Sequence, residues 1–432
     1  MLRRLVQISL FCGLVAFIAA CGSSNKNQGP QFNTPILYNP TSSSIHPKIG
    51  IHHISNNESQ LFVMIDTNEL LVSEANPEGT PRADVKIRYE LYDCTDIANN
   101  KLISDSSTFI NFVEIRQQQR IVVFPITIPA EQGRRYMLLV QTSDLQRRNT
   151  IRQFMTVNKT SIHSGQNFKL TTVNGSPKLE NTIRNNEIFR IEYRRRPIDK
   201  LFIKYKNISQ PLATAPTALA AIDKLEFEPD SIWEQAYSPN TNFMFGYEGL
   251  YLIQSDTTQQ EGLLLMNFGN TFPFENRTAQ MVLPIQYILT DVEFQRLTQQ
   301  GWEEPKRMMD HFWLSATGST DRARMMIRVF YTRMSYANRY FTDFKEGWKT
   351  DRGMIYMIYG LPNNIHKGSD SETWEYVRRQ RADPLTFVFE RHPSNYTEEY
   401  FVLRRGDAQP TFWRQAIDSW RRGRIFSIND MD

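Results

Sequence analysis

Cysteine is scarce in this chain, with three in 432 residues. Cys12 lies inside an N-terminal apolar run, Cys21 directly follows it, and Cys94 has no cysteine near it in sequence. A disulfide framework is therefore excluded, and stability has to come from packed cores. A dominant charge sign is also missing, since 50 Lys plus Arg stand against 46 Asp plus Glu. A formal net charge of +4 is not the basic field that nucleic-acid binders use, so nucleic acid is not an expected partner. No apolar run after Cys21 is long enough to span a bilayer. The seven histidines form no His-Glu-x-x-His pair, and no Gly-Lys-Ser or Gly-Lys-Thr phosphate loop and no Gly-x-Ser-x-Gly elbow occurs. Neither a metal nor a cofactor is expected on these grounds. His52-His53 reads as a solvated pair beside a strand, and Ser369-Asp370-Ser371 as a loop.

What the chain does have begins at its N-terminus. Arg3 and Arg4, an apolar run from Leu5 to Ile18, and then Ala19 and Ala20 form an export signal over residues 1–20. The tetrapeptide Ile18-Ala19-Ala20-Cys21 resembles the lipobox of bacterial lipoproteins. That resemblance implies cleavage before Cys21, acylation of its thiol, and a membrane partner reached through a lipid anchor. The competing reading is an ordinary secretory signal with a coincident cysteine. Residues 21–48 then read as the lipidated cysteine and a flexible linker of Ser, Asn, Gln, Pro and Thr. The first acidic residue is Glu58. Lipoproteins of the Bacteroidota that reach the cell surface resemble one another in carrying acidic residues soon after the cysteine. By that resemblance, this chain is expected at the outer membrane, facing the periplasm.

A chain of this length exceeds one core, and three folding units are expected. Over residues 49–160 apolar residues alternate with polar ones, as in "ADVKIRYELYD", where Val85, Ile87, Tyr89 and Leu91 interleave with Lys86, Arg88 and Glu90. "RRYMLLVQT" and "TIRQFMTV" read as a hairpin, and Gly133 with Tyr136 suggests a tyrosine corner. The expected fold here is a β-sandwich, immunoglobulin-like. Residues 161–288 predict a second β-rich module, with "EIFRIEYRR" and "DKLFIKYKN" as strands and "GLYLIQSD" paired with "LLLMNFG". A short helical or irregular insertion, with a proline at Pro216, falls between Leu212 and Leu225. The expected fold class is thus two immunoglobulin-like β-sandwich modules followed by a C-terminal α+β domain over 289–432.

That last third opens with Thr290-x-x-Glu293, a capping box, and predicts helices from about Glu304 to Leu314 and from about Asp321 to Phe344. Six of the seven tryptophans fall in it, which points to a compact aromatic core. After the long helix comes "KEGWKTDRGMIYMIYGLP". Gly347 is placed to stop the helix in the left-handed conformation, Trp348 to anchor in the core, and Thr350 and Asp351 to close a turn. Gly353 permits a second reversal, and "MIYMIYG" reads as a strand. Lys349 and Arg352 flank Asp351 as candidate ion partners.

Gly347, Trp348, Thr350 and Asp351, with Lys349 in the variable slot, followed by Arg352, Gly353, Tyr359-Gly360 and "ETWEY", resemble the signature of the GWxTD domain of Bacteroidota lipoproteins over about Leu289 to Ile428. The resemblance names a family and implies no established activity. Two readings of the motif stay open: a structural clasp, and a catalytic or ligand-binding Asp351. The helix "TFWRQAIDSWRRGR" likewise reads either as a docked terminal helix or as an interaction surface carrying Trp413, Trp420, Arg421, Arg422 and Arg424. The expected function is a non-enzymatic scaffold or accessory subunit of an envelope assembly with a protein partner. The rivals are an envelope-polymer hydrolase and a glycan-binding protein.

Overall fold

Strand alternation decides the first module. In the computed structural model, which describes residues 31–34, 37–72, 82–96, 101–114, 120–207, 210–218, 225–274, 277–299, 305–378, 383–406 and 410–428, the chain enters as a short strand β1 (Phe32–Asn33) and continues through β2 (Lys48–His53), β3 (Glu58–Asp66), β4 (Arg82–Asp93), β5 (Lys101–Glu114), β6 (Ile121–Pro129), β7 (Arg135–Asp144) and β8 (Asn149–Asn158). The antiparallel orders are β2-β3-β6 and β5-β4-β7-β8. Val85, Ile87, Tyr89 and Leu91 of β4 are buried, and they share one core with Leu61, Val63 and Ile65 of β3. The hairpin over 135–158 forms with Asp144 opposite Asn149. Tyr136 accepts a hydrogen bond at its hydroxyl from the Glu131 N–H at 2.9 Å, with Gly133 at φ +85° in between.

The second module comprises β9 (Phe168–Thr172), β10 (Pro177–Lys178), β11 (Thr182–Ile183), β12 (Ile188–Tyr193), β13 (Lys200–Lys206), β14 (Ser231–Ala236), β15 (Asn242–Met244), β16 (Gly249–Gln254) and β17 (Leu263–Asn267). Its sheets run β10-β9-β12-β15 and β11-β17-β16-β13-β14, with β11 and β17 parallel. The strands β16 and β17 are buried along their whole length. One face, with Tyr251, Ile253, Leu263 and Leu265, joins the module's own core. The other, with Leu250, Leu252, Leu264 and Met266, packs on Phe344 and Tyr400 of the C-terminal third. Burial on both faces explains the unbroken apolar run "LLLM".

The C-terminal third follows as α1 (Thr278–Val282), α2 (Asp291–Thr298), α3 (Pro305–Thr317), α4 (Thr320–Phe341), α5 (Asp351–Tyr359) and α6 (Pro410–Arg421), with strands β18 (Asn364–Lys367), β19 (Ser371–Tyr376), β20 (Leu385–Arg391) and β21 (Phe401–Leu403) between α5 and α6. The capping box at Thr290 and Glu293 is present with both bonds made. Along α4, Ala323, Phe330, Met334, Ala337 and Phe341 are buried as the spacing requires, and Met326 joins them. Trp313, Trp348, Trp374, Trp413 and Trp420 lie in one core, all at 9% exposure or less. Trp302 lies outside the described residues.

Three expectations are corrected here. "MIYMIY" is not a strand but the body of α5, every residue of which is buried. A run that is apolar on all sides suits a helix enclosed by other elements as well as it suits a buried strand, and periodicity alone does not separate the two. His52 and His53 are not solvated; they are 3% and 1% exposed, and burial lowers their pKa values to about 4 and about 3. His53 is held between Ser59 Oγ at 2.8 Å and the Asn158 carbonyl at 2.9 Å.

The linker is the third. Its described part is docked rather than free. β1 pairs antiparallel with β18 and becomes the edge strand of the last sheet, in the order β1-β18-β19-β20-β21. Phe32 meets Tyr92 and Phe154 of the first module at 5.6 and 5.5 Å. Tyr38, 6% exposed, inserts among Tyr340, Phe341 and Trp374, and its hydroxyl donates to Glu372 at 2.9 Å. A few aromatic anchors thus order a segment whose composition otherwise suits a free coil. Tyr38→Ala is expected to destabilise the C-terminal third by about 3–5 kcal/mol, the range for a large aromatic lost from a core. Urea unfolding of the full chain followed by tryptophan fluorescence reads this directly, and an unchanged midpoint would show that the segment is merely apposed.

Candidate functional site

The signature segment is the entry to α5. After α4 ends at Phe341, a single 3-10 turn over Gly347–Lys349 leads into the helix, with Thr350 as its N-cap. Gly347 does not adopt the left-handed conformation expected of a helix stop. Its requirement is proximity: a Cβ there would lie 1.9 Å from the Ala337 carbonyl oxygen of α4. Gly353 makes no reversal either. It sits in the first turn of α5, where a Cβ would lie 1.9 Å from the Gly347 carbonyl oxygen. Two backbones in contact leave no room for any side chain at either position.

The remaining letters tie this contact down. Trp348, 1% exposed, meets Tyr287 edge to face at 6.1 Å, and its backbone N–H donates to Asn338 Oδ1 at 3.1 Å. Thr350 Oγ1 donates to the Gly347 carbonyl at 2.7 Å and accepts from the Gly353 N–H at 3.1 Å. Asp351 Oδ2 accepts the Leu403 N–H at 2.8 Å, and Arg405 grips both carboxylate oxygens. Arg405 also donates to the Thr214 carbonyl at 3.0 Å, which fastens the insertion after β13 to the motif.

The flanking cations expected beside Asp351 have other partners. Lys349 pairs with Glu346. Arg352, 2% exposed, reaches Glu372 at 3.4 Å and the Glu399 carbonyl at 3.0 Å. Glu372 is itself completely buried, and it accepts from Lys367 at 2.6 Å, Trp374 Nε1 at 2.6 Å and Tyr38. Burial opposes its charge, yet Lys367 and Arg352 outweigh burial and bring its carboxyl down to about 2. The guanidinium of Arg352 and the Lys367 ammonium lie 4.3 and 4.5 Å from the centroid of the Phe401 ring. "ETWEY" therefore supplies the counter-charge to Arg352, a pairing that sequence reasoning missed although both segments belong to the signature.

Room for chemistry at Asp351 is small. The cavity beside it, lined by Asp343, Thr350, Tyr400 and Arg405 among others, holds about 30 Å3, enough for about two waters and not for a polymer. A far larger cleft, about 1,090 Å3, shares Ala213, Thr214 and Lys349 with that cavity and is lined by the insertion and α6. Lys349 and Glu346 line it, together with Arg277, Trp413, Arg414, Ile417 and Arg421. Its charges are largely paired within the protein: Arg277 with Glu248 at 2.7 Å, Lys349 with Glu346, and Arg421 with Glu293.

Of the interaction surface expected on α6, the structure divides the residues. Trp420 is fully buried, donating from Nε1 to the Ile358 carbonyl at 3.0 Å, and Trp413 is 9% exposed. Both are core residues, because the face of the helix that carries them packs on α5. Arg421 reaches the cleft, while Arg422 and Arg424 are exposed beyond the helix end. Cys21 lies outside the described residues.

Residues 249–422 match the family model of the GWxTD domain, a span that begins at β16 and contains every residue of the motif. No curated protein matches the chain. Among solved structures, one of the beta-glucuronidase of Parabacteroides merdae, with glycerol in its active site, is similar at 15% identity over 33% of this chain and 16% of that chain, with a TM-score of 0.16. A likeness that slight, over less than a fifth of the enzyme's length, bears on neither fold nor activity.

Two substitutions test the geometry. Asp351→Asn is expected to lower stability by about 1.5–3 kcal/mol, because it weakens charge-assisted bonds and leaves Arg405 partly uncompensated. A melting temperature at or above that of the unsubstituted protein would overturn the clasp and return Asp351 to candidacy as a strained functional residue.

Asp343, 4% exposed, gives a pH test. Burial raises its carboxyl from 3.8 to about 7, against the opposing pull of the Lys345 N–H and of the Lys345 and Arg352 charges. The folded state then holds a proton that the unfolded chain releases. This contribution to stability is complete below pH 3.8 and is lost as pH rises through about 7. Asp343→Asn keeps the acceptor and removes the titration. Its stability relative to the unsubstituted protein should therefore climb between about pH 4 and pH 8 in urea unfolding, and a constant difference would refute the assignment.

Proposed function

We propose that this GWxTD domain protein is an outer-membrane-anchored, periplasm-facing lipoprotein that acts as a non-enzymatic scaffold or accessory subunit of a cell-envelope assembly. The observation that carries the reading is the use made of Asp351. The one acid of the Gly-Trp-Lys-Thr-Asp run spends both oxygens on Arg405 and the Leu403 N–H, in a buried turn beside a cavity of about 30 Å3. A general acid or nucleophile needs a free oxygen facing a substrate-sized space. Aromatic faces suited to stacking on a glycan are likewise scarce in this third, where the described tryptophans are buried. The lipobox-like Ile18 to Cys21 supports the anchor, and no described helix is long and apolar enough to cross a membrane.

The two β modules read as immunoglobulin-like sandwiches. Each has two facing sheets on a shared core, and the Tyr136–Glu131 bond in the first has the form of a tyrosine corner. Such modules act as rigid spacers and contact surfaces, in keeping with a scaffold.

Cys21→Ser should yield a protein that washes off membranes at high salt, whereas the unsubstituted protein stays bound. Retention of the variant in the membrane pellet would remove the lipid tether from the account. In intact cells, added protease should leave the protein whole until the outer membrane is permeabilised, and digestion without permeabilisation would place it on the outer surface.

A further inference from the structure

We infer that the cleft of about 1,090 Å3 beside the signature is a binding site for an extended, uncharged polypeptide segment. Its size comes first. It lies at the upper end of the range of about 300–1,000 Å3 that ligand pockets occupy, which leaves room for a short stretch of polymer. The second observation is what its walls leave unused. The cations Arg277, Lys349 and Arg421 are paired within the protein, and the lining groups that make no ion pair among the described residues, Arg414, Asp291 and Asp418, are of mixed sign, so the walls offer no field of one sign to a charged ligand. By contrast, the side-chain amides of Gln210, Gln280 and Gln286 line the cleft without a hydrogen-bond partner among the described residues. An amide offers both a donor and an acceptor, the same complement that a peptide unit presents along an extended chain. Half-buried Leu283, Leu289 and Ile417 line the same cleft and provide apolar surface for alternate side chains of such a segment.

A peptide fits this lining better than a glycan does. Sugar rings are held by open aromatic faces, and the aromatic residues in these walls, Phe268, Tyr287 and Trp413, are 7%, 9% and 9% exposed, committed to the core behind them. The inference deepens the scaffold reading and rests on it only in taking the partner to be a protein. Membrane retention and protease shielding test the tether, and neither reads the cleft, so the two can fail separately.

The test pans a phage library of random linear heptapeptides against the immobilised full chain carrying Cys21→Ser. Enriched peptides are synthesised and titrated by fluorescence anisotropy against that protein, against the same chain with Gln280→Ala and Gln286→Ala together, and against it with Ile417→Asp. Expected is enrichment of peptides low in charge, whose affinity falls about tenfold in the double amide variant, as two lost neutral hydrogen bonds imply, and at least as far with Ile417→Asp, while melting temperatures show both variants folded. Failure to enrich any peptide, or equal affinity for all three proteins, overturns the inference. So does binding of peptidoglycan-derived oligosaccharides that is lost in these same variants, which would make the cleft a glycan site.

Discussion

A helix buried on every side has to satisfy its own ends without water, and the C-terminal third is organised around that constraint. At the start of α5, Thr350 and Asp351 replace solvent. At its end, the carbonyls of Met357 and Ile358 accept from Arg333 at 3.0 and 3.1 Å, and Ile358 also accepts from Trp420. Gly360 leaves the helix at φ +81°, close enough to the Arg333 guanidinium that a Cβ would crowd it at 2.7 Å. The Gly360 carbonyl takes the Tyr376 hydroxyl at 2.8 Å. A charged residue in such a place is costly unless fully engaged, which is why Arg352 comes with Glu372 and Glu399, and Glu372 with Lys367.

The same core is not closed by the C-terminal third alone. Its sheet receives β1 and its aromatic cluster receives Tyr38, which meets Glu372 across 334 residues of chain. The hairpin β16–β17 forms a wall shared with the second module, and the insertion after β13 reaches the motif through the Ala213 N–H on the Lys349 carbonyl at 3.0 Å. The family match beginning at Gly249 follows from this, because that hairpin is as much the outer wall of the last core as a part of the second module. Arg135 on Asp370 at 2.8 Å and Asn158 on Glu398 at 2.6 Å complete the link to the first module.

Much of this was legible in the sequence wherever one local rule sufficed. The alternation in β4, the hairpin β7–β8, the capping box at Thr290 and the apolar face of α4 each follow from the period or chemistry of a few adjacent residues. The failures share a cause, which is that their partners are remote. "MIYMIY" is enclosed by elements on both sides of it in sequence. The signals that mark it as a helix, a Thr-Asp start and a Gly360 stop, are weaker than its β-rich composition. The docking of Phe32 and Tyr38 depends on a groove made more than 300 residues later. His53 is held in part by the Asn158 carbonyl, 105 residues away. In the motif the expected turn chemistry did not form as read, since Gly347 is not left-handed and Gly353 lies inside α5, and the partner of Asp351, Arg405, lies 54 residues away and carries no local mark.

Each position of the signature can then be assigned a physical task. Glycine is needed at 347 because α4 and the turn touch backbone to backbone, and at 353 because the turn and α5 do. Tryptophan fills the space that this crossing leaves, threonine starts the helix, and aspartate joins it to β21 and to Arg405. The variable slot behaves differently. Lys349 turns to the large cleft and pairs at its wall with Glu346. A change there would alter the lining of the cleft and remove the ammonium that lies 5.3 Å from the centroid of the Trp348 ring. The motif thereby separates the residues that hold the helix from Lys349, whose side chain lines the cleft.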